Sequence, residues 1–194
     1  MYTVIGTART RTFRVLWMLE ELGLAFSHLP AAPHSDDARA HNPVGKVPAL
    51  IDGADTIIDS TAILTYLADK HRQLTACAGT IARAHQDSLT HFLLDEFDAV
   101  LWTASRHSFI LPEDQRLPQI KASLKWEYGR SLARLSDRLA GPFLSGPVFM
   151  LPDILATHCL SWGINAKFAA PEGALADYHA RMRARPAYLR AAAR

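Results

Sequence analysis

Residues able to do chemistry gather at three places in the first sixty positions. Residues 6–17 read GTARTRTFRVLW and set Thr7, Thr10 and Thr12 where an apolar strand gives way to an amphipathic helix. A hydroxyl at a helix start either caps the helix or faces a bound ligand. Lys46-Val47-Pro48 starts another strand, where a proline suits a strand edge. At Asp59-Ser60 a strand end meets a helix start. Ser60 is expected to cap that helix, and a helix N-terminus also attracts anions through its outward N–H groups and its dipole. His41 and Lys46 flank the loop before Pro48. Cations on a loop are solvated surface groups unless an anion is bound there.

These groups need elements to hold them. YTVI (2–5) reads as a strand followed by Gly6. From Arg11, Val15, Met18, Leu19 and Leu22 share one helical face, and Gly23 supplies a left-handed stop. Residues 25–29 read as a second strand and 35–41 as a weak helix. PALID (48–52) and TIID (56–59) pair across a tight turn, and Ile63, Leu64 and Leu67 form the stripe of the next helix. The order β-α-β-α-β-β-α in about 70 residues is a mixed-sheet α/β unit. Residues 72–79 read as a linker, and strand signals stop beyond them. Helices are expected over 80–109, 113–140, 152–168 and 173–184, with a loop at 141–147. The fold class is therefore α/β followed by all-α, with domains at 1–72 and 80–194.

Composition narrows the function classes. The chain has 194 residues, 49% hydrophobic and 21% charged, with a net charge of +2. That charge predicts no particular partner. The basic run Arg181, Arg183, Arg185, Arg190 and Arg194 reads as a solvated helix face and tail, and no nucleic-acid-binding motif accompanies it. Cys77 and Cys159 form no CxxC pair and suit a reducing setting. The stretch VLWML is too short for a signal peptide and runs into Glu20-Glu21. FMLPDILATHCLSW is too short and too polar to span a bilayer. The nine histidines form no metal-binding pattern, so no metal is expected.

RVLWMLEELGLAF (14–26), NPVGKVPALID (42–52), DSTAILTYLADKH (59–71), PDILATHCLSW (152–162) and RPAYLRAAAR (185–194) occur in an order and spacing that resembles the cytosolic glutathione transferases. The resemblance covers nearly the whole chain. It implies a thioredoxin-like glutathione-binding domain at 1–72 and an all-α domain at 80–194 contributing a hydrophobic acceptor site. It also implies a cytoplasmic homodimer, with glutathione as co-substrate and detoxification of a small hydrophobic electrophile as the chemistry.

The resemblance assigns roles by position. The Val47–Pro48 bond is expected cis, which leaves the Val47 N–H and C=O to pair with a peptide-like ligand. Ser60 would bind the γ-glutamyl carboxylate and Asp59 the amine, although Glu or Gln is usual there and Asp is one methylene shorter. Lys46, and less so His41, would face the glycyl carboxylate. A cysteine thiol has a pKa of about 8.5, so roughly 3% is ionised at pH 7. Lowering that by about two units needs about 2.7 kcal/mol. A hydrogen bond to a charged group supplies about 1.5–3 kcal/mol, so one hydroxyl is of the right order. Thr10 falls where serine-type relatives carry their catalytic hydroxyl, with Thr7 in reserve and Thr12 third. The loop has no cysteine, and Ile5 stands where tyrosine-type relatives place Tyr. Trp102, Arg106 and Phe109 lie on the helix that faces the acceptor in the family, where packing is an equal alternative. Asp153 reads as a structural cap whose serine or threonine partner is replaced by Met150. The alternative functions are a weakly or non-catalytic ligand-binding protein of the same fold and a glutathione-dependent isomerase. The serine–serine–cysteine–serine loop of such isomerases is missing.

Overall fold

The computed structural model describes all 194 residues, which form two units: Met1–Ala78 with Arg183–Arg194, and Gly79–Met182. The first unit runs β1 (Tyr2–Ile5), α1 (Thr12–Glu21), β2 (Phe26–Leu29), α2 (Asp36–His41), β3 (Ala49–Asp52), β4 (Asp55–Ile58) and α3 (Ser60–His71). The sheet order is β2-β1-β3-β4. β1 is parallel to β2 and antiparallel to β3, and β3 is antiparallel to β4. A parallel β1–β2 pair requires a crossover, which α1 provides. This is the thioredoxin-like arrangement expected from the sequence. Val15, Leu16, Trp17, Met18 and Leu19 are all fully buried, so α1 is a central element and not a surface helix with one apolar stripe. Gly23, at φ +65°, stops it as expected.

The second unit is helical. It contains α4 (Ile81–Leu93), a π-helical turn at Leu94–Ala99, α5 (Val100–Ser105), a second π-helical turn at Arg106–Ile110 and a 3₁₀ turn at Glu113–Gln115. α6 (Ile120–Asp137), α7 (Leu151–Asn165) and α8 (Gly173–Arg183) follow. The helix expected over 80–109 is present but widens twice into π turns. The helix expected from 113 begins only at Ile120. Pro118 disfavours helical geometry at Leu117 before it, which delays the start. Phe97 meets Tyr128 edge-on at 5.2 Å, and Tyr128 meets Phe168 in the same way at 5.2 Å. A Cβ at Gly163 would lie 2.2 Å from the Tyr128 hydroxyl, so α6 and α7 approach as closely as glycine allows. Asp153 is fully buried and accepts from the Leu144 N–H at 3.0 Å, the Met150 N–H at 2.8 Å and the Tyr178 hydroxyl at 2.8 Å. Its partners are all structural, and Met150 gives no side-chain cap. No helix is long and apolar enough to cross a membrane.

The expected division is corrected at its far end: Arg183–Arg194 belongs to the first unit, not to the helical one. A helix not foreseen as a separate element, α9 (Pro186–Ala192), starts on a proline suited to a first helical turn. It packs on α1, where the Tyr188 ring lies 4.9 Å from Phe13 and 5.0 Å from Trp17. Arg185 grips Glu21 in a two-pronged ion pair at 2.6 and 2.8 Å. Arg190 and Arg194 reach Glu20 at 2.7 and 2.8 Å. Burial pushes the Glu20 carboxyl upward, but these two guanidinia outweigh it and hold it below the usual range. Half of the basic run is therefore a clamp on α1 and not a solvated tail.

Candidate functional site

The register of the sheet gathers the three chemical stretches at one end. Ile5 sits opposite Ala49, and Ala49 opposite Ile58. The chain leaving β1, the chain entering β3 and the chain leaving β4 therefore emerge together, carrying Gly6–Thr10, Val47–Pro48 and Asp59–Ser60. Gly6 is the close-approach point. A Cβ there would lie 2.2 Å from Thr12 Oγ1 and 2.8 Å from Val47 Cβ, and its φ of +131° suits only glycine. His28 Nε2 donates to the Gly6 carbonyl at 2.8 Å from below.

The Val47–Pro48 peptide bond is cis. Neither the N–H nor the C=O of Val47 has a hydrogen-bond partner within the chain. Asn42 shapes the loop before it. Its Nδ2 donates to the Lys46 carbonyl at 2.9 Å and its Oδ1 accepts from the Val44 N–H at 3.2 Å. Gly45 adds a backbone bond to the Asn42 carbonyl at 2.6 Å. Lys46 is exposed, and His41 is half-buried at the end of α2.

At the third stretch the expected cap moves by one residue. Asp59, not Ser60, caps α3: its Oδ1 accepts from the Thr61 and Ala62 N–H groups at 2.9 and 3.0 Å. Asp59 holds a left-handed φ of +71°, a costly conformation for a non-glycine residue. This turns the chain so that Ser60 becomes the first helical residue. Ser60 is buried, with 3% of its surface exposed. Its Oγ accepts from Arg14 Nη1 at 3.3 Å, which leaves the hydroxyl proton to be donated. The Ser60 N–H is one of the orphan donors of a helix N-terminus and makes no bond within the chain.

The three threonines now differ. Thr12 is fully buried and belongs to the packing around Gly6. Thr10 is half-buried just outside α1. Its hydroxyl donates to the Thr7 carbonyl at 2.8 Å, accepts from the Thr12 N–H at 3.2 Å and touches Thr12 Oγ1 at 2.9 Å. Thr7 Oγ1 accepts weakly from the Arg9 N–H at 3.5 Å.

Sequence reasoning missed Arg14 and Asn42. Arg14 is 1% exposed, the one cation inside an apolar helix, and it lies beneath Ser60. Its signal was a charge in the middle of FRVLW on a helix that is apolar all round. For Asn42 the signal was the Asn-Pro turn dipeptide.

A sequence model of the family described as "Glutathione S-transferase, N-terminal domain" matches residues 12–75. The theta class glutathione S-transferase of Xanthomonas axonopodis pv. citri, solved with glutathione bound, is 30% identical. It superposes at a TM-score of 0.79, over 98% of this chain and 96% of that one. A zeta class glutathione S-transferase of Euphorbia esula is 26% identical over 74% of this chain and 67% of its own length. Glutathione S-transferase 3 of Zea mays is 40% identical over a shorter stretch, 30% of this chain and 28% of that protein. The fold, the site at the sheet end and these likenesses agree: the chain belongs to the cytosolic glutathione transferase family, a family of enzymes.

Proposed function

We propose that this chain binds glutathione at the open end of the sheet and transfers its thiolate to a hydrophobic electrophile. The observation that carries this reading is the set of unspent backbone groups at Val47 and Ser60, all at one sheet end. A peptide-like anion satisfies them together: one residue pairs with Val47 as a short strand, and a carboxylate takes the Ser60 N–H and hydroxyl. Asp59 keeps Oδ2 for the γ-glutamyl amine, because its cap uses only Oδ1. Lys46 and His41 face the glycyl end, Pro48 fixes the Val47 edge, and the helical unit supplies the acceptor surface. The likeness to a glutathione-bound relative supports the same reading. Assembly as a cytoplasmic homodimer belongs to it by family, and sedimentation of the purified chain tests the dimer.

In this reading Thr10 donates to the sulfur. The thiol proton leaves to solvent, the thiolate forms a C–S bond with the electrophilic carbon, and the displaced pair departs with a leaving group or is protonated by water. Thr10 has one proton, and it now rests on the Thr7 carbonyl. Turning it to the sulfur exchanges a bond worth about 1 kcal/mol for one worth about 1.5–3. The net effect is about one pKa unit. Thr10→Ala should raise the thiol pKa of bound glutathione by about one unit. The thiolate absorbance titration reads that shift. Turnover should fall about tenfold at pH 6 and much less above pH 8, where the thiol ionises in both forms. An unchanged titration rejects Thr10. The same Thr7 bond favours a second reading, a binder with little catalysis. Retention on immobilised glutathione without turnover of a generic electrophile selects that one.

A further inference from the structure

Arg106 is the one guanidinium of the helical unit without an anionic, carbonyl or aromatic partner. Arg83 pairs with Asp87 at 2.9 Å and Arg134 with Glu96 at 3.1 Å. Arg116 and Arg181 donate to the carbonyls of Leu111 and Pro142 at 2.7 and 3.0 Å. Arg130 and Arg138 lie over the rings of Trp126 and Phe92 at 4.8 and 4.2 Å. Arg106, half-buried, donates only to the neutral Thr103 hydroxyl, from Nη2 at 2.9 Å. Its Nε is shut off from water and has no acceptor. A buried donor left unsatisfied on a charged group is costly.

Its neighbours suggest what would satisfy it. Arg106 opens the second π turn, and π turns recur at functional sites. Leu101, Ala104 and Ser105 form the buried side of this stretch. On the less buried side, Trp102 stands four residues before Arg106 and Phe109 three after it, and Phe109 is 66% exposed. A planar fork between two aromatic side chains matches a carboxylate on an aromatic or conjugated body, because guanidinium binds carboxylate through paired hydrogen bonds and stacks on flat rings.

We propose that the electrophilic acceptor carries a carboxylate and that Arg106 binds it, with Trp102 and Phe109 against its apolar body. This rests on the transferase reading and narrows its substrate class. Para-chloro-meta-nitrobenzoate is a suitable probe, with its methyl ester as the neutral control. In both, the glutathione sulfur bonds to the carbon bearing chlorine, chloride leaves with the bonding pair, and the thiol proton goes to solvent.

The experiment compares the wild-type chain, Arg106→Gln and Arg106→Lys in two ways. The first is kcat/KM for acid and ester. The second is calorimetric affinity for the two S-aryl glutathione conjugates, which needs no turnover. The acid-to-ester ratio should fall about tenfold or more in the Gln variant and recover in part in the Lys variant, in both measurements. Equal effects on acid and ester overturn the inference and leave the transferase reading standing. Wild-type binding of neither conjugate overturns the glutathione reading and this inference with it. Discrimination in binding with no turnover of either substrate upholds Arg106 and rejects the catalytic part of the function.

Discussion

The two ends of the four-stranded sheet treat their polar groups in opposite ways. At the end carrying Tyr2 and Asp52, every polar side chain is spent. Tyr2 meets His71 Nε2 at 2.8 Å, and Tyr66 donates to Asp52 Oδ2 at 2.5 Å. Lys70 bonds to both Asp52 and the Tyr66 hydroxyl and lies 5.2 Å over the rings of Tyr2 and Tyr66. This network fastens the C-terminal end of α3 to the sheet. At the other end the backbone of Val47 and the N–H of Ser60 are unspent, and Gly6 and Asp59 hold positive φ. A satisfied network stabilises a fold by itself. An unsatisfied one, held in place by strained backbone, is stabilised only when a ligand completes it. One sheet thus has a structural end and a binding end, and the comparison can be broken at either.

The largest effect is expected where the binding end is tightest. Gly6→Ala places a methyl group 2.2 Å from Thr12 Oγ1 and 2.8 Å from Val47 Cβ at a φ of +131°. Overpacking together with an incompatible φ should cost about 3 kcal/mol. The urea midpoint should fall accordingly, with glutathione retention lost at the same time. An alanine variant of wild-type stability would show that the three stretches are not held against one another at Gly6.

Ser60→Ala comes next. It removes the donor aimed at the ligand and the acceptor that Arg14 uses, while leaving the Ser60 N–H in place. Losing one hydrogen bond to a carboxylate should weaken glutathione affinity about tenfold to a hundredfold by calorimetry. The thiol pKa of the bound peptide should move little, because the contact is at the γ-glutamyl end. A shifted thiol with unchanged affinity would reverse the assignments of Ser60 and Thr10.

The sheet, α1 and α3 were legible because their apolar spacing and their Gly and Pro punctuation are local signals. The Val47–Pro48 geometry and the roles of Thr10, Lys46 and Ser60 came from the family resemblance, not from spacing. The rest was hidden by distance or by backbone conformation. The ion pairs of Arg185 and Arg190 with Glu21 and Glu20 join residues at opposite ends of the chain, so a solvated tail was the natural reading. The cap of α3 moved from Ser60 to Asp59 because a positive φ at an aspartate carries no sequence mark. The π turns that place Arg106 differ from an ordinary helix by less than periodicity resolves.

The smallest effect belongs to the structural end. Lys70 and Tyr66 donate to Asp52 and hold its carboxyl below the usual aspartate range. A folded-state value below the unfolded one means that the contribution is fully present above the ordinary aspartate value of 3.8. It fades as pH falls through the lower folded-state value, where Asp52 takes up its proton in both states. Lys70 is substantially exposed, so solvent screening keeps the contribution small. Asp52→Asn should lower the thermal midpoint by about 1–3 °C at pH 7. The gap from wild type should close once the pH is below the folded-state value of Asp52. Glutathione affinity should not change, because nothing at this end reaches Val47 or Ser60. A variant that lost affinity along with stability would show the two ends to be coupled through α3, and the division between a structural and a binding end would no longer hold.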